Sequence, residues 1–274
     1  MLKHWRNLRK RSQLDLALDA GVSQRHLSFL ESGRARPSRE MVLQLAEVLE
    51  VPLRERNQLL HAAGFASIYQ ERGLDHEDMR LVHDALALTL HHHEPYPAMV
   101  VDRAWNMLMC NEPTRRFIAA LGDYEEVWRR VDPSGQHNIV RLTFHPHGLQ
   151  PLVRNWSMVA ATLMARLQRE LAADPTNEEL RSLSADVEAC PTAAGMQAVD
   201  PTKVPGLTLP VFPVEYEVPG QGVLKVFSMI SSFGTALDVT ADELRIETFF
   251  PADDFSKAFF EMLATPNDAP LGRT

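Results

Sequence analysis

The chain has little cysteine: two residues, Cys110 and Cys190, in 274. Two thiols build neither a disulfide framework nor a four-cysteine zinc centre, and such sparing use fits a reducing cytoplasm. No run of about 18 apolar residues occurs, so hydropathy predicts no membrane span. The opening MLKHWRNLRKR carries positive charge with no apolar stretch behind it and does not read as a secretory signal. The patterns G-x-S-x-G and H-E-x-x-H and a glycine-rich phosphate loop are all missing. The sequence therefore predicts no catalytic residue, no metal and no cofactor. His91, His92 and His93 are consecutive, so on a helix they point in different directions and form no chelating face. His145 and His147 read as surface or packed residues. Neither cysteine has a fixed basic neighbour in sequence to make it a reactive thiolate.

Basic residues are outnumbered as well, and the net charge is −8. Spread evenly, that charge would argue against nucleic acid. Residues 1–72, however, hold 12 Lys and Arg against 8 Asp and Glu, whereas the remainder holds 16 against 28. A basic head on an acidic body concentrates phosphate contacts at one end.

Within the head, Ser12 to Ser38 (SQLDLALDAGVSQRHLSFLESGRARPS) is the most informative stretch. Leu14, Ala17 and Leu18 recur at helical spacing after a Ser12 cap. Gly21 stands where two packed helices need a sharp turn, with Val22 beneath it. Ser23 is a second cap, and Leu27 and Leu30 face inward on the helix it opens. Gln24, Arg25 and Ser28 are left outside. Gln and Arg are the side chains that pair with adenine and guanine edges in the major groove, and a helix-turn-helix presents this first turn to base edges. Ser23 and Ser28 are short donors suited to phosphate, and Arg34 and Arg36 follow on a loop able to flank a backbone.

Around this stretch, Leu2–Arg11 predicts a first helix with Trp5 and Leu8 inward and Arg6 outward. Arg39–Leu49 and a helix from Pro52 to Gly64 complete a five-helix, all-α domain over 1–65. Residues 66–94 read as a linker and a connecting helix from Asp75 to His93.

From Pro95 the character changes. Ala98–Asp102 and Trp105–Asn111 are short apolar strands. Helices follow over 112–121, 124–131, 152–173 and, capped near Thr176, 177–188; 137–147 has no clear period. Ala189–Pro205 reads as loop. Phe212, Val214, Tyr216 and Val218 alternate with polar residues in a third strand. Val223–Ser231 is a fourth, and Leu244, Ile246, Thr248 and Phe250 alternate with Arg245 and Glu247 in a fifth. A helix over 252–263 and a tail over 266–274 end the chain. Two strands, then helices, then three strands predict an α+β body over 95–265 with one five-stranded antiparallel sheet and covering helices, the layout of a PAS-type sensor.

The head resembles the Xre/Cro family of helix-turn-helix regulators through Ser12-Gln13, Ala17, Gly21-Val22-Ser23, Leu27-Ser28, Leu30-Glu31-Ser32-Gly33-Arg34, Pro37-Ser38, Leu45-Ala46 and Leu49-Glu50-Val51-Pro52. That resemblance implies that Gln13 and Ser28 hold phosphates and that Gln24 and Arg25 read bases. The stretch from His93 to Asp102 (HEPYPAMVVD), with Trp105-Asn106 and Asn111, resembles the ligand-binding domain of MmyB-like regulators, which join the same head to a PAS-like body. A member of that family holds a fatty acid.

The expectation is a cytoplasmic, ligand-responsive transcription regulator that binds double-stranded operator DNA as a homodimer and senses an apolar or amphipathic molecule of fatty-acid type. The candidate pocket residues are Trp105, Met107, Met109, Phe117, Trp156, Phe227, Met229 and Phe249, since Met and aromatic side chains suit an adaptable apolar cavity. Arg141, His145 and Arg154 are candidates for its mouth. The alternatives are an enzyme with a DNA-binding head and a regulator controlled by a protein partner, as an antitoxin is. A copurifying ligand, turnover and a stoichiometric partner distinguish the three.

Overall fold

The structure, a computed structural model, describes residues 1–174, 177–190, 211 and 213–264. In chain order the elements are α1 (Leu2–Leu8), α2 (Gln13–Asp19), α3 (Gln24–Glu31), α4 (Arg39–Val48), α5 (Leu53–Ala62), α6 (Arg80–His92), β1 (Ala98–Val101), β2 (Met107–Cys110), α7 (Glu112–Ala119), α8 (Tyr124–Val131), α9 (Ile139–Phe144), α10 (Trp156–Ala173), α11 (Glu178–Ala189), β3 (Val214–Val218), β4 (Gly222–Ser231), α12 (Val239–Glu243), β5 (Arg245–Pro251) and α13 (Asp254–Ala264). They fall into two compact units. The first combines Met1–Arg80 with Phe233–Glu243, and the other described residues form the second. Phe212, the cap position Thr176, the loop residues 191–205 and the tail lie outside the described residues.

In the first unit, each reading helix begins at a serine whose side chain satisfies an orphan N–H. Ser12 makes a reciprocal capping box with Asp15. Ser23 accepts from the His26 N–H at 3.1 Å, and Ser38 from the Met41 N–H at 3.2 Å. The core is Trp5, Leu16, Ala17, Ala20, Leu27, Val42, Leu45, Ala46, Leu49 and Leu60, with their neighbours. The face of α2 differs from the expected one: Ala17 is buried as expected, but Leu16 is buried with it, whereas Leu14 and Leu18 are exposed. Both sets have helical spacing, and periodicity cannot say which one meets α3 and α4. A second correction concerns α1. Arg6 is buried and Leu8 exposed, because the Arg6 guanidinium is held by Glu31 and by the Arg11 carbonyl.

The same unit contains α12, which no pattern in the sequence marks. The Val239 N–H donates to the Gln70 carbonyl at 2.8 Å. Arg72 donates to Asp238 at 2.9 Å, and the Asp242 carboxylate accepts from the Leu53 N–H at the start of α5.

In the second unit the strand order is β2-β1-β5-β4-β3, with every neighbouring pair antiparallel. Met99 pairs with Glu247, and Ser228 with Phe249. Helices α7 to α11 lie in the chain between β2 and β3, and side chains from α7 to α11 and α13 share one core with the sheet. Residues 137–147, without clear period in the sequence, contain α9. Helix α10 starts later than expected, at Trp156. Before it, Val153 bridges to Tyr216 and the Arg154 N–H donates to the Glu215 carbonyl at 2.8 Å, so the backbone is paired to β3 instead of coiled. His93 is engaged within the unit: it bonds the Phe249 carbonyl at 2.7 Å and packs edge-on to Phe250.

Candidate DNA interface and ligand cavity

The turn between α2 and α3 requires positive φ at Gly21, which has φ +61°. It delivers Gln24 and Arg25 to the exposed first turn of α3. The Arg25 guanidinium rests over the Phe29 ring at 5.4 Å, so the ring restrains this exposed side chain. Arg34 and Arg36 are exposed on the loop that follows, and Ser28 is half-buried. Two predicted phosphate contacts are already engaged within the unit. Ser23 caps α3, and the Gln13 amide donates to Glu31 at 2.7 Å. Glu31 thus gathers Arg6 and Gln13, tying α1, α2 and α3 together.

The second unit encloses a cavity of about 390 Å³ between sheet and helices. Trp105, Phe117, Phe227 and Phe249 lie on its wall, with Met99, Ile118, Leu142, Val159, Leu163 and Val226. Met107, Met109, Trp156 and Met229 do not line it. Met229 is 54% exposed, and Trp156 stacks edge-on against Phe144. Arg141, His145 and Arg154 also lie elsewhere than the cavity wall. Arg141 is taken by Asp186 at 2.8 Å and Asp132 at 3.3 Å, and Arg154 stands 3.5 Å from Glu217. Burial and the neighbouring charge of His147 hold the His145 imidazole below its ordinary range.

The polar groups that do reach the cavity are Arg166, Arg169, Glu247, Ser228, Tyr216 and three threonines. Sequence reasoning missed Arg166 and Glu247, although a signal exists. Val159, Thr162, Leu163 and Arg166 recur at i, i+3, i+4 and i+7, which puts an arginine on an otherwise apolar helix face. On β5 the row that looks polar, Glu247 with Phe249, faces the cavity, and Glu247 is 8% exposed. Burial pushes the Glu247 carboxyl up towards its neutral form; the neighbouring Ser228 hydroxyl and Arg166 oppose this without cancelling it. Burial likewise disfavours the charged form of Arg166 and raises the Tyr216 phenol.

Trp105 is held in this wall by several contacts. Its φ of +69° is a conformation bulky residues rarely adopt, and a buried polar network maintains it. Asp102 accepts from the Ala104 and Asn106 N–H groups at 2.8 and 2.9 Å. The Asn138 amide donates to the Ala104 carbonyl and to Asn106. The indole N–H donates to Glu170 at 2.8 Å. Two guanidiniums flank the ring, Arg166 at 4.7 Å and Arg245 at 5.4 Å from its centroid.

A capped helix-turn-helix with an exposed, base-reading turn and a separate α+β unit around an apolar cavity together define a DNA-binding regulator with a ligand-binding body. Comparison with known families agrees: residues 82–263 match the family described as "MmyB-like transcription regulator ligand binding domain", and residues 2–56 match "Helix-turn-helix". The chain belongs to the MmyB-like transcription regulators. No curated protein matches it. Among the described residues no helix is long and apolar enough to cross a membrane, and no group of His, Cys, Asp and Glu is arranged to hold a metal ion.

Proposed function

We propose that this regulator binds a specific operator as a homodimer on paired half-sites and that its body takes up an apolar or amphipathic effector of fatty-acid type. The cavity carries this reading. Its size falls in the range of small-molecule sites, and its wall is mainly apolar with a few polar groups. An acyl chain suits such a wall, because its burial needs no directional partner and contributes about 0.8 kcal/mol per methylene. The order β2-β1-β5-β4-β3, with helices between β2 and β3, supports a PAS-like body. In the head, Gln24 and Arg25 read bases and Ser28, Arg34 and Arg36 meet phosphates, while Gln13 and Ser23 brace the helices that carry them. Dimerisation is proposed because one such head buries a small interface and joining two half-sites raises affinity without new contacts.

The effector changes operator affinity only through unequal affinity for two states of the protein. The test combines native mass spectrometry of the purified full chain with melting and operator-binding curves over saturated acids from octanoate to stearate. The expected result is a copurifying lipid, a melting temperature that rises with chain length to an optimum, and a shift in operator affinity. A flat series with unchanged operator binding overturns the effector assignment.

A further inference from the structure

The excursion of the chain between β4 and β5 is asymmetric. Seven residues, 232–238, separate the end of β4 from α12, whereas Leu244 alone separates α12 from Arg245, the first residue of β5. Leu244 is itself buried. The β4 side therefore has slack and the β5 side has almost none. Both ends of the taut side are held. At one end, Arg245 pairs with Val101 in the sheet, donates to Glu170 at 2.9 Å and lies over the Trp105 ring. Glu170 also accepts from the Trp105 indole N–H, which links the cavity wall to the start of β5. Glu247 and Phe249, further along the same strand, line the cavity as well. At the other end, Glu243 grips Arg54 in the first turn of α5, and the Asp242 carboxylate accepts from the Leu53 N–H, one of the orphan donors of that helix. Helix α5 enters the core of the head through Leu59 and Leu60, and Leu27 of α3 belongs to the same core.

We propose that the taut connection Glu243-Leu244-Arg245 couples the cavity to α5 and so carries effector occupancy to the DNA-binding head. The inference rests on the reading above that an effector in the cavity changes operator affinity, and it names the route. A shift of Trp105 or of the start of β5 on occupancy reaches Glu243 across one residue, with no flexible segment to absorb it. Glu243 and Asp242 pass it to the first turn of α5. On the other side of α12, Arg72 and the Gln70 backbone pin Asp238 and Val239, but residues 232–237, which include Gly234, absorb movement of β4 before it arrives there. Coupling between two binding sites is reciprocal, so operator DNA changes effector affinity by the same factor as the effector changes operator affinity.

The test uses the full-length protein, dodecanoate as probe and a duplex selected for binding to the unaltered protein. Duplex affinity is measured with and without saturating dodecanoate, and dodecanoate affinity with and without the duplex. In the unaltered protein the two ratios are expected to agree, at about fivefold or more. Two altered proteins break the route differently. Glu243→Ala removes the grip on Arg54, whereas two glycines inserted between Glu243 and Leu244 keep that pair and add slack. Each is expected to bring both ratios to within about twofold of unity, while duplex and dodecanoate bound singly stay within about threefold of the unaltered protein. Arg72→Ala, on the slack side, retains the coupling. Coupling that survives the glycine insertion, or that Arg72→Ala abolishes to the same degree, overturns this route and leaves the effector reading standing. Absence of dodecanoate binding, or of any coupling, in the unaltered protein overturns that reading and this one with it.

Discussion

Arg54 and Glu243, 189 positions apart, meet in a two-pronged ion pair, with Nε to Oε1 at 2.7 Å and Nη2 to Oε2 at 3.0 Å. Glu71 closes on the same guanidinium. The pair seats α12 on the first unit, while the chain on either side of 233–243 continues into β4 and β5. Arg54 is raised above the ordinary arginine range, chiefly by its bond to Glu243. Because the pair is partly solvated, its worth is modest, about 1 kcal/mol. Glu243→Ala is expected to lower stability by about that amount and to raise amide exchange in 239–243 and at the start of α5. Unchanged exchange in both segments would show that the pair does not hold α12.

The Arg6–Glu31 pair is more deeply buried, with side chains 10% and 3% exposed. Removing one partner strands a charge, so Arg6→Ala is expected to cost about 3 kcal/mol in urea unfolding. Burial pushes the Glu31 carboxyl up, but bonds from Arg6 and Gln13 outweigh it and leave the group below the usual glutamate range. A carboxyl depressed on folding stabilises above its unfolded value, roughly 4.3, and that stability is lost as pH falls through the folded value. Acid unfolding of Glu31→Gln should therefore show a shallower loss below about pH 4 than the unaltered protein.

Arg25→Ala is expected to cost about 1–3 kcal/mol at one operator position and to relax specificity there. Competition binding against operators mutated one base at a time reads this directly. A uniform loss on every sequence, random DNA included, would make Arg25 a phosphate contact.

Val159 is 4% exposed and lines the cavity. Val159→Phe fills space there and is expected to lower the stabilisation by the longest fatty acids most, with an overpacking cost of about 1–3 kcal/mol in the free protein. Leu108→Phe, on the 43% exposed face of β2, serves as the comparison and should leave the chain-length profile unchanged.

The local devices of the head are legible in the residues. Serine caps, the Gly21 turn and the exposed Gln24-Arg25 pair act within a few positions of themselves, and short-range chemistry is what a linear pattern records. The strands of the body show the same legibility, since alternation reports a pleated surface wherever the sheet lies. Folding in three dimensions decided the rest, for one recurring reason: several faces of an element have acceptable spacing, and only the neighbour chooses among them. It turned Leu16 inward beside Ala17 in place of Leu14 and Leu18, and it drew Arg6 onto Glu31. It faced Glu247 and Phe249 to the cavity and brought Arg166 beside Trp105. It also carried α12 back to α5, a contact whose partners the sequence separates by most of its length.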